Sequence, residues 1–161
     1  MRYLLHAGGV VVRSRAITRG RPIAAFCRMS IEDTTGDIIG CGITLHRKYG
    51  PGMLESVYKQ CLGIDLVARG HDVAIEEPVA LTHNGLHIPR AFVIDLFVNR
   101  EVIVEVKCVA AVLPVHEAQL RTYLRLTNTR VGLILNFYVP VLKQGIHRVA
   151  NNYEPIERER R

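Results

Sequence analysis

Several features that would exclude an ordinary globular domain are missing from this sequence. It has four cysteines but no CxxC pair. Neither a zinc knuckle nor a secreted disulfide framework is therefore indicated, and a reducing cytosol is expected. No apolar run approaches the roughly 20 residues that a membrane span requires, so no membrane association is expected. The 161 residues, 48% of them hydrophobic, suit one domain of ordinary size.

The common nucleotide-binding and hydrolase signatures are also missing. The chain has no P-loop, no GxGxxG after a predicted strand and no GxSxG. Residues 31–161 contain six histidines, but no two of them lie four residues apart on a predicted helix, as helical metal ligands do. No histidine is therefore predicted to bind a metal, and carboxylates and lysines are the remaining candidates for catalytic chemistry.

Acidic residues are missing from the first 30 positions. This segment contains six arginines, and the rest of the chain has 15 basic and 15 acidic residues. The formal net charge of +6 is thus carried by the N-terminal segment. A general positive field on the folded part, such as a nucleic-acid-binding domain often has, is not indicated by composition.

The two ends of the chain are predicted to lie outside the folded domain. Residues 1–30 lack clean periodicity and superficially resemble a mitochondrial transit peptide. The favoured interpretation is a disordered tail or a mis-assigned start, with the natural start at Met29. Residues 31–150 are predicted to form the domain, and residues 151–161 a charged tail that frays.

Hydrophobic periodicity predicts an α/β domain between these ends. Helices are expected over Ile31–Tyr49, Met53–Ala68 and Val115–Leu126, with Thr34 or Thr35 capping the first. Strands are expected over four segments: His71–Thr82, a hairpin within Ala91–Lys107, Val131–Val139 and Ile146–Val149.

The Ala91–Lys107 hairpin carries charges inside two apolar strands. Asp95 lies in the first strand, and Glu105 and Lys107 lie near the end of the second. A buried carboxylate costs several kcal/mol unless it is paired, metal-bound or protonated. Two interpretations remain open: a structural ion pair with Lys107, or a site for a hard divalent cation with a lysine beside it.

The loop of the hairpin decides whether the two carboxylates share a face. Asp95 opposes Glu105 only if the loop has an odd number of residues, most simply Asn99-Arg100-Glu101. A two-residue loop would turn the two carboxylates to opposite faces of the sheet. Because Asn99-Arg100 lacks the glycine that a tight type I′ turn prefers, the three-residue loop is predicted.

Further polar residues lie on the predicted helices. Glu55 and Tyr58 belong to a stripe of otherwise apolar residues on the second helix. Glu55 is either a first-turn acid favoured by the helix dipole or another carboxylate that faces the sheet. On the third helix, Gln119 and Tyr123 are one turn apart and His116 precedes them on the same face. They are either ordinary core and first-turn residues, or groups that order the carboxylates or hold a phosphate.

The sequence resembles the GxxExxY proteins, which are similar to the PD-(D/E)xK nuclease superfamily. The resemblance begins at Gly52-x-x-Glu55-x-x-Tyr58, in HRKYGPGMLESVY, and continues through FVIDLFV, VIVEVKCV, PVHEAQLRTYL and VGLILNF. It covers roughly Ile31 to Val149. It implies a restriction-endonuclease-like core, in which a central mixed β-sheet is flanked by helices.

The resemblance also implies a function and a set of roles. Asp95, Glu105 and Lys107 are the expected catalytic residues, and Glu55 completes a metal site with the two strand carboxylates. Gln119 and Tyr123 match the QxxxY motif of RecB-like nucleases, and Tyr58 and His116 are expected to support the site or contact DNA. The expected activity is Mg²⁺-dependent (or Mn²⁺-dependent) hydrolysis of DNA phosphodiester bonds in the cytoplasm. The alternatives are a catalytically silent module that binds nucleic acid or protein, and an RNA-directed nuclease.

Overall fold

The fold is built on one mixed β-sheet. The computed structural model describes residues 4–6, 9–12 and 29–151. The seven strands lie in the sheet in chain order: β1 Leu4–His6, β2 Gly9–Val12, β3 Val73–His83, β4 Leu86–Val98, β5 Val102–Lys107, β6 Val131–Asn136 and β7 Ile146–Ala150. Neighbouring strands are antiparallel except β5 and β6, which are parallel and are connected through a helix.

Three α-helices cover the two faces of this sheet. Helices α1 (Ile31–Tyr49) and α2 (Glu55–Ala68) pack over one apolar cluster, and α3 (Pro114–Leu126) packs over a second cluster. A short 3-10 helix, Leu142–Gly145, precedes β7. The predicted α/β fold class, a restriction-endonuclease-like core with a mixed sheet flanked by helices, is confirmed.

Helix α1 begins at Ile31, about one turn before Thr34 and Thr35, which were predicted to cap it. The Ser30 hydroxyl accepts a hydrogen bond from the Asp33 amide (3.1 Å), and the Asp33 carboxylate accepts one from the Ser30 amide (3.3 Å). This reciprocal pair forms a capping box. Thr34 and Thr35 lie inside the helix and are buried, so the prediction that one of them caps it is wrong.

The β4–β5 loop has the predicted three residues. Val98 pairs with Val102, which leaves Asn99, Arg100 and Glu101 in the loop. Asn99 and Arg100 nevertheless adopt positive φ angles of 52° and 56°, and the Glu101 amide donates to the Val98 carbonyl (3.0 Å). The predicted register is confirmed, although the sequence lacks glycine at both left-handed positions.

The side chain of Asn99 holds this loop in place. Its carbonyl accepts from the Asp72 amide (3.0 Å), and its amide nitrogen lies 3.0 Å from Nδ1 of the buried His71. The Asn99 backbone amide also donates to the Asp72 carbonyl (2.7 Å). Asparagine tolerates the left-handed region better than most residues, and these bonds fix it there.

Strands β4 and β5 separate where the predicted catalytic residues lie. Their ladder contains three pairs and ends at Leu96–Val104, although β4 extends back to Leu86. The β5–β6 ladder continues to the last residue of β5, Lys107, which pairs with Asn136. Asp95 and Glu105 are therefore the first residues beyond the point where the two strands part.

Other differences from the prediction concern the ends of elements. Strand β4 begins at Leu86 and not near Ala91, and β6 ends at Asn136 and not at Val139. No helix among residues 29–151 is long and apolar enough to span a membrane.

Strands β1 and β2 lie in the segment that was predicted to be disordered. Strand β2 pairs with β3 through Val11–Ala74 and Val12–Val73. The remainder of residues 1–28, and residues 152–161, lie outside the described residues. The mis-assigned start and the fraying C-terminal tail therefore stay predictions.

Candidate active site

Asp95 is held at the sheet by two different donors. Its Oδ2 accepts a hydrogen bond from the Val106 amide on β5 (3.0 Å), across the gap where the two strands separate. Its Oδ1 lies 3.1 Å from the ammonium of Lys59, which comes from α2. Only 14% of the Asp95 side chain is exposed. The carboxylate is thus fixed between the sheet and α2, with one oxygen on each side.

Glu105 is the most deeply buried acid of the site. The residue is 3% exposed, and its Oε1 has no hydrogen-bond partner. Burial, followed by the negative charge of Asp95, raises the pKa of Glu105 to about 7, and the nearby Lys107 acts in the opposite direction. The influence of Asp95 agrees with the position of both residues directly beyond the last ladder pair, Leu96–Val104.

Lys107 lies at the end of β5 beside two acids. Its Nζ donates to Glu105 Oε2 (3.3 Å) and lies 3.9 Å from Glu55 Oε1. Burial disfavours the charged ammonium, but Glu105, Asp95 and Glu55 together hold the pKa of Lys107 above its usual value. Lys107 therefore stays protonated and places a positive charge beside Glu105 Oε2, while Oε1 has no partner.

Glu55 heads α2 and faces the end of β5. Its Oε2 accepts from the Cys108 amide (3.2 Å), and its side chain is 41% exposed. Among residues 29–151, no group of three or more His, Cys, Asp or Glu side chains surrounds a common metal position. The role of Glu55 as a third ligand therefore stays a prediction, and its observed contacts are with Lys107 and Cys108.

Tyr58 organises the loop that precedes Glu55. Its fully buried ring stacks on Phe137 with 4.1 Å between centroids. Its hydroxyl donates to the Gly50 carbonyl and accepts from the amides of Gly52 (3.2 Å) and Met53 (3.3 Å). A fully buried ring cannot contact DNA directly, so the observed role of Tyr58 is support.

The three predicted residues of α3 have separate environments. Tyr123 is 3% exposed and accepts a hydrogen bond from Gln119. Burial raises the pKa of Tyr123, and the charge of Glu105 acts in the same direction, which shows that the phenol lies near the carboxylate pair. His116 instead accepts from the Leu113 amide (3.0 Å) and caps the start of the helix.

The donor set suits a hard divalent cation. Two carboxylates lie on neighbouring strands, one with a buried oxygen that has no partner and a pKa raised by the charge of the other. A dication would satisfy that oxygen and relieve the repulsion. Mg²⁺ binds commonly through one or two carboxylates and keeps its remaining ligands as water or phosphate. Asp95 and Glu105 fit that requirement.

A family profile described as the PD-(D/E)XK nuclease superfamily matches residues 32–149. The chain belongs to this superfamily. A search of curated proteins and a search of solved structures gave no significant match. Membership in the PD-(D/E)XK superfamily supports a nuclease-like function, with the nucleic-acid binding that such a function entails. Nucleases of this superfamily generally use divalent metals.

Sequence reasoning missed a second lysine in this candidate site. Lys59 is nearly buried, and its Nζ lies 3.0 Å from Glu76 Oε1 as well as 3.1 Å from Asp95. The signal was present, because Lys59 follows Glu55 by four residues and thus shares its helix face. Glu76 had no such signal, since its position depends on the β3–β4 register.

Asn136 was also missed, although it ends an apolar strand. It is 2% exposed and pairs with Lys107 in the parallel ladder. Its side-chain amide accepts from the Val109 amide (3.1 Å) and donates to the Val109 carbonyl (2.8 Å). Asn136 therefore fixes the turn that follows the catalytic lysine candidate.

Proposed function

We propose that this protein is a nuclease of the GxxExxY group that hydrolyses phosphodiester bonds of DNA with Mg²⁺ or Mn²⁺. The observation that carries the proposal is that Asp95 and Glu105 both lie directly beyond the last β4–β5 pair, Leu96–Val104, with Lys107 bonded to Glu105. The partnerless oxygen of Glu105 supports a cation between them. We also propose a cytoplasmic location, since a reducing compartment would keep the thiols of Cys41 and Cys108 free.

The residues divide the work of hydrolysis by their chemistry. Asp95 and Glu105 would hold the ion, which when bound would polarise the phosphate and lower the pKa of an attacking water. Lys107 is placed to stabilise negative charge that develops on the phosphate in the transition state. Gln119 and Tyr123 form a hydrogen-bonded pair near Glu105 that would order the carboxylates.

The distribution of charge supports a nucleic-acid partner more than composition did. Residues 38–54 and 118–153 contain no acidic residue. Parts of these two segments lie together and line an open cavity formed by Ile43, His46, Arg47, Gly50, Pro51, Pro140, Val141, Leu142 and Lys143. The cavity lining contains Arg47 and Lys143 and no acidic residue, which suits the binding of phosphate groups.

This basic cavity is connected to the catalytic residues through the Gly50–Leu54 loop. The Tyr58 hydroxyl hydrogen-bonds to that loop, and the Cys108 thiol lies 3.7 Å from the Met53 carbonyl. Exposed Tyr49 and Tyr138 near the cavity offer rings on which bases stack. A strand bound there would lead into the site beside Glu55 and Lys107.

Cleavage by matched variants tests the proposed function. The wild-type chain is expected to cut DNA in Mg²⁺ or Mn²⁺ but not in EDTA, and Asp95→Asn and Glu105→Gln are expected to lose cleavage. Lys107→Met is expected to lose cleavage while retaining metal-dependent thermal stabilisation. Asp72→Asn removes an exposed acid that lies just before β3. It is the control and should cut DNA normally.

The second candidate is a silent module, which one observation favours: Lys59 already neutralises Asp95. A silent module would bind DNA without cleaving it, whichever variant or metal is used. The same assay on RNA of the same sequence tests the alternative that the protein is an RNA-directed nuclease. Cleavage of RNA alone would contradict the proposed substrate, and absence of cleavage of either polymer would contradict the proposed activity.

A further inference from the structure

Lys59 joins two acidic residues of neighbouring strands. Its Nζ lies 3.1 Å from Asp95 Oδ1 and 3.0 Å from Glu76 Oε1, and 11% of its side chain is exposed. The other oxygen of Asp95 accepts from the Val106 amide. Both Asp95 oxygens are therefore engaged by the protein itself, whereas Glu105 Oε1 has no partner.

An ammonium in this position competes with a divalent cation. Lys59 occupies the side of Asp95 that the sheet amide does not, so a dication bound by this carboxylate would lie close to the ammonium. Like charges that share a carboxylate also repel each other, strongly so where water is scarce. The ammonium of Lys59 therefore opposes binding of a dication by Asp95, and its withdrawal would relieve that repulsion.

Glu76 provides the place to which the ammonium can withdraw. The pairs Ile75–Leu96 and Glu77–Ile94 bracket it opposite Asp95 in the β3–β4 register. Its φ of +56° lies in the left-handed region, which is unusual for a glutamate inside a strand. Its side chain is 43% exposed, so the Glu76 carboxylate lies nearer to solvent than that of Asp95.

We propose that Lys59 is an internal cation that holds Asp95 in the metal-free protein and lowers its affinity for the divalent ion, with Glu76 receiving the ammonium when the ion binds. This inference rests on the proposed metal site of Asp95 and Glu105. It assigns Lys59 a role in setting metal affinity and no contact with the reacting phosphate.

Calorimetric titration of Mn²⁺ into the full-length chain and its variants tests this role. Lys59→Gln is expected to bind the metal about tenfold more tightly, because no ammonium must be displaced. Glu76→Gln is expected to bind it about tenfold more weakly, because Lys59 then has only Asp95. If Glu76 acts through Lys59, the double variant binds like Lys59→Gln. Lys48→Gln, which removes an exposed lysine from the last turn of α1, should match the wild type.

The outcomes distinguish this inference from the proposed function. Equal or weaker binding by Lys59→Gln, with normal binding by the wild type, overturns the role of Lys59 alone. Absence of binding in the wild type and in Lys59→Gln overturns the metal site and this inference together. Should Lys59→Gln fail to fold, Glu76→Gln decides, because an unchanged affinity in that variant contradicts the transfer of the ammonium.

Discussion

The buried Glu105 carboxyl predicts a specific pH dependence of stability in the metal-free protein. Its pKa is about 7 in the folded chain, raised by burial and then by the charge of Asp95, against an ordinary value of 4.5. Below pH 4.5 the group is protonated in both the folded and unfolded states. Between pH 4.5 and about 7 the unfolded chain releases the proton while the folded chain keeps it. The contribution of Glu105 is thus fully present below pH 4.5 and is lost as pH rises through 7.

The expected size of this loss is about 3 kcal/mol, since one pKa unit corresponds to about 1.4 kcal/mol. Urea denaturation in EDTA between pH 4.5 and 8 measures the free energy of unfolding. Glu105→Gln mimics the protonated form and should lose this dependence, so the difference between wild type and variant isolates the group. Saturating Mg²⁺ should reduce the loss because the ion binds the ionised carboxylate. A wild-type-minus-variant difference that stays constant with pH would refute the reasoning.

Three further changes test other parts of the structure. Tyr58→Phe keeps the ring on Phe137 but removes the hydroxyl from the Gly50–Met53 loop, so the free energy of unfolding should fall by roughly 1–3 kcal/mol in urea. Gly132→Ala should lower it by about 1–3 kcal/mol, because the new Cβ would lie 2.7 Å from Leu120 Cδ1. Gly36→Ala is its control, since nothing lies within 4 Å of that Cβ, and should stabilise α1 by about 0.5–1 kcal/mol. A chain begun at Met29 loses β1 and β2 but keeps the three helices and β3–β7, so it should stay folded with the helical circular dichroism of the full chain, and insolubility of that shorter chain alone would contradict this expectation.

The elements that sequence reasoning predicted best are those with long-range periodicity. Helix α1 and strand β5 have the predicted limits because each presents a clear apolar pattern. The register of β4 against β5, with Val98 facing Val102, also followed from the loop, since side-chain alternation leaves only two outcomes. The lack of glycine did not prevent left-handed residues in this loop, because the Asn99 side chain supplies bonds that hold that conformation.

The parts that were missed depend on contacts between distant segments. The pairing of Lys59 with Glu76 requires both the α2 position and the β3–β4 register, and neither residue is unusual in its own segment. The capping role of Ser30 was missed because Ser30, Thr34 and Thr35 all lie near the start of the same apolar pattern, and each could cap the helix. The basic cavity was missed because charge was counted over the whole domain, while the fold brings two acid-free segments together.

Anomalous diffraction from crystals soaked in Mn²⁺ tests the central claim most directly. The account predicts one peak within coordination distance of both Asp95 and Glu105 carboxylates, with the Lys59 ammonium displaced toward Glu76. Crystals of Asp95→Asn treated in the same way should lack the peak. A wild-type structure with Mn²⁺ bound only elsewhere, and with Lys59 still paired to Asp95, would contradict the metal-dependent nuclease site.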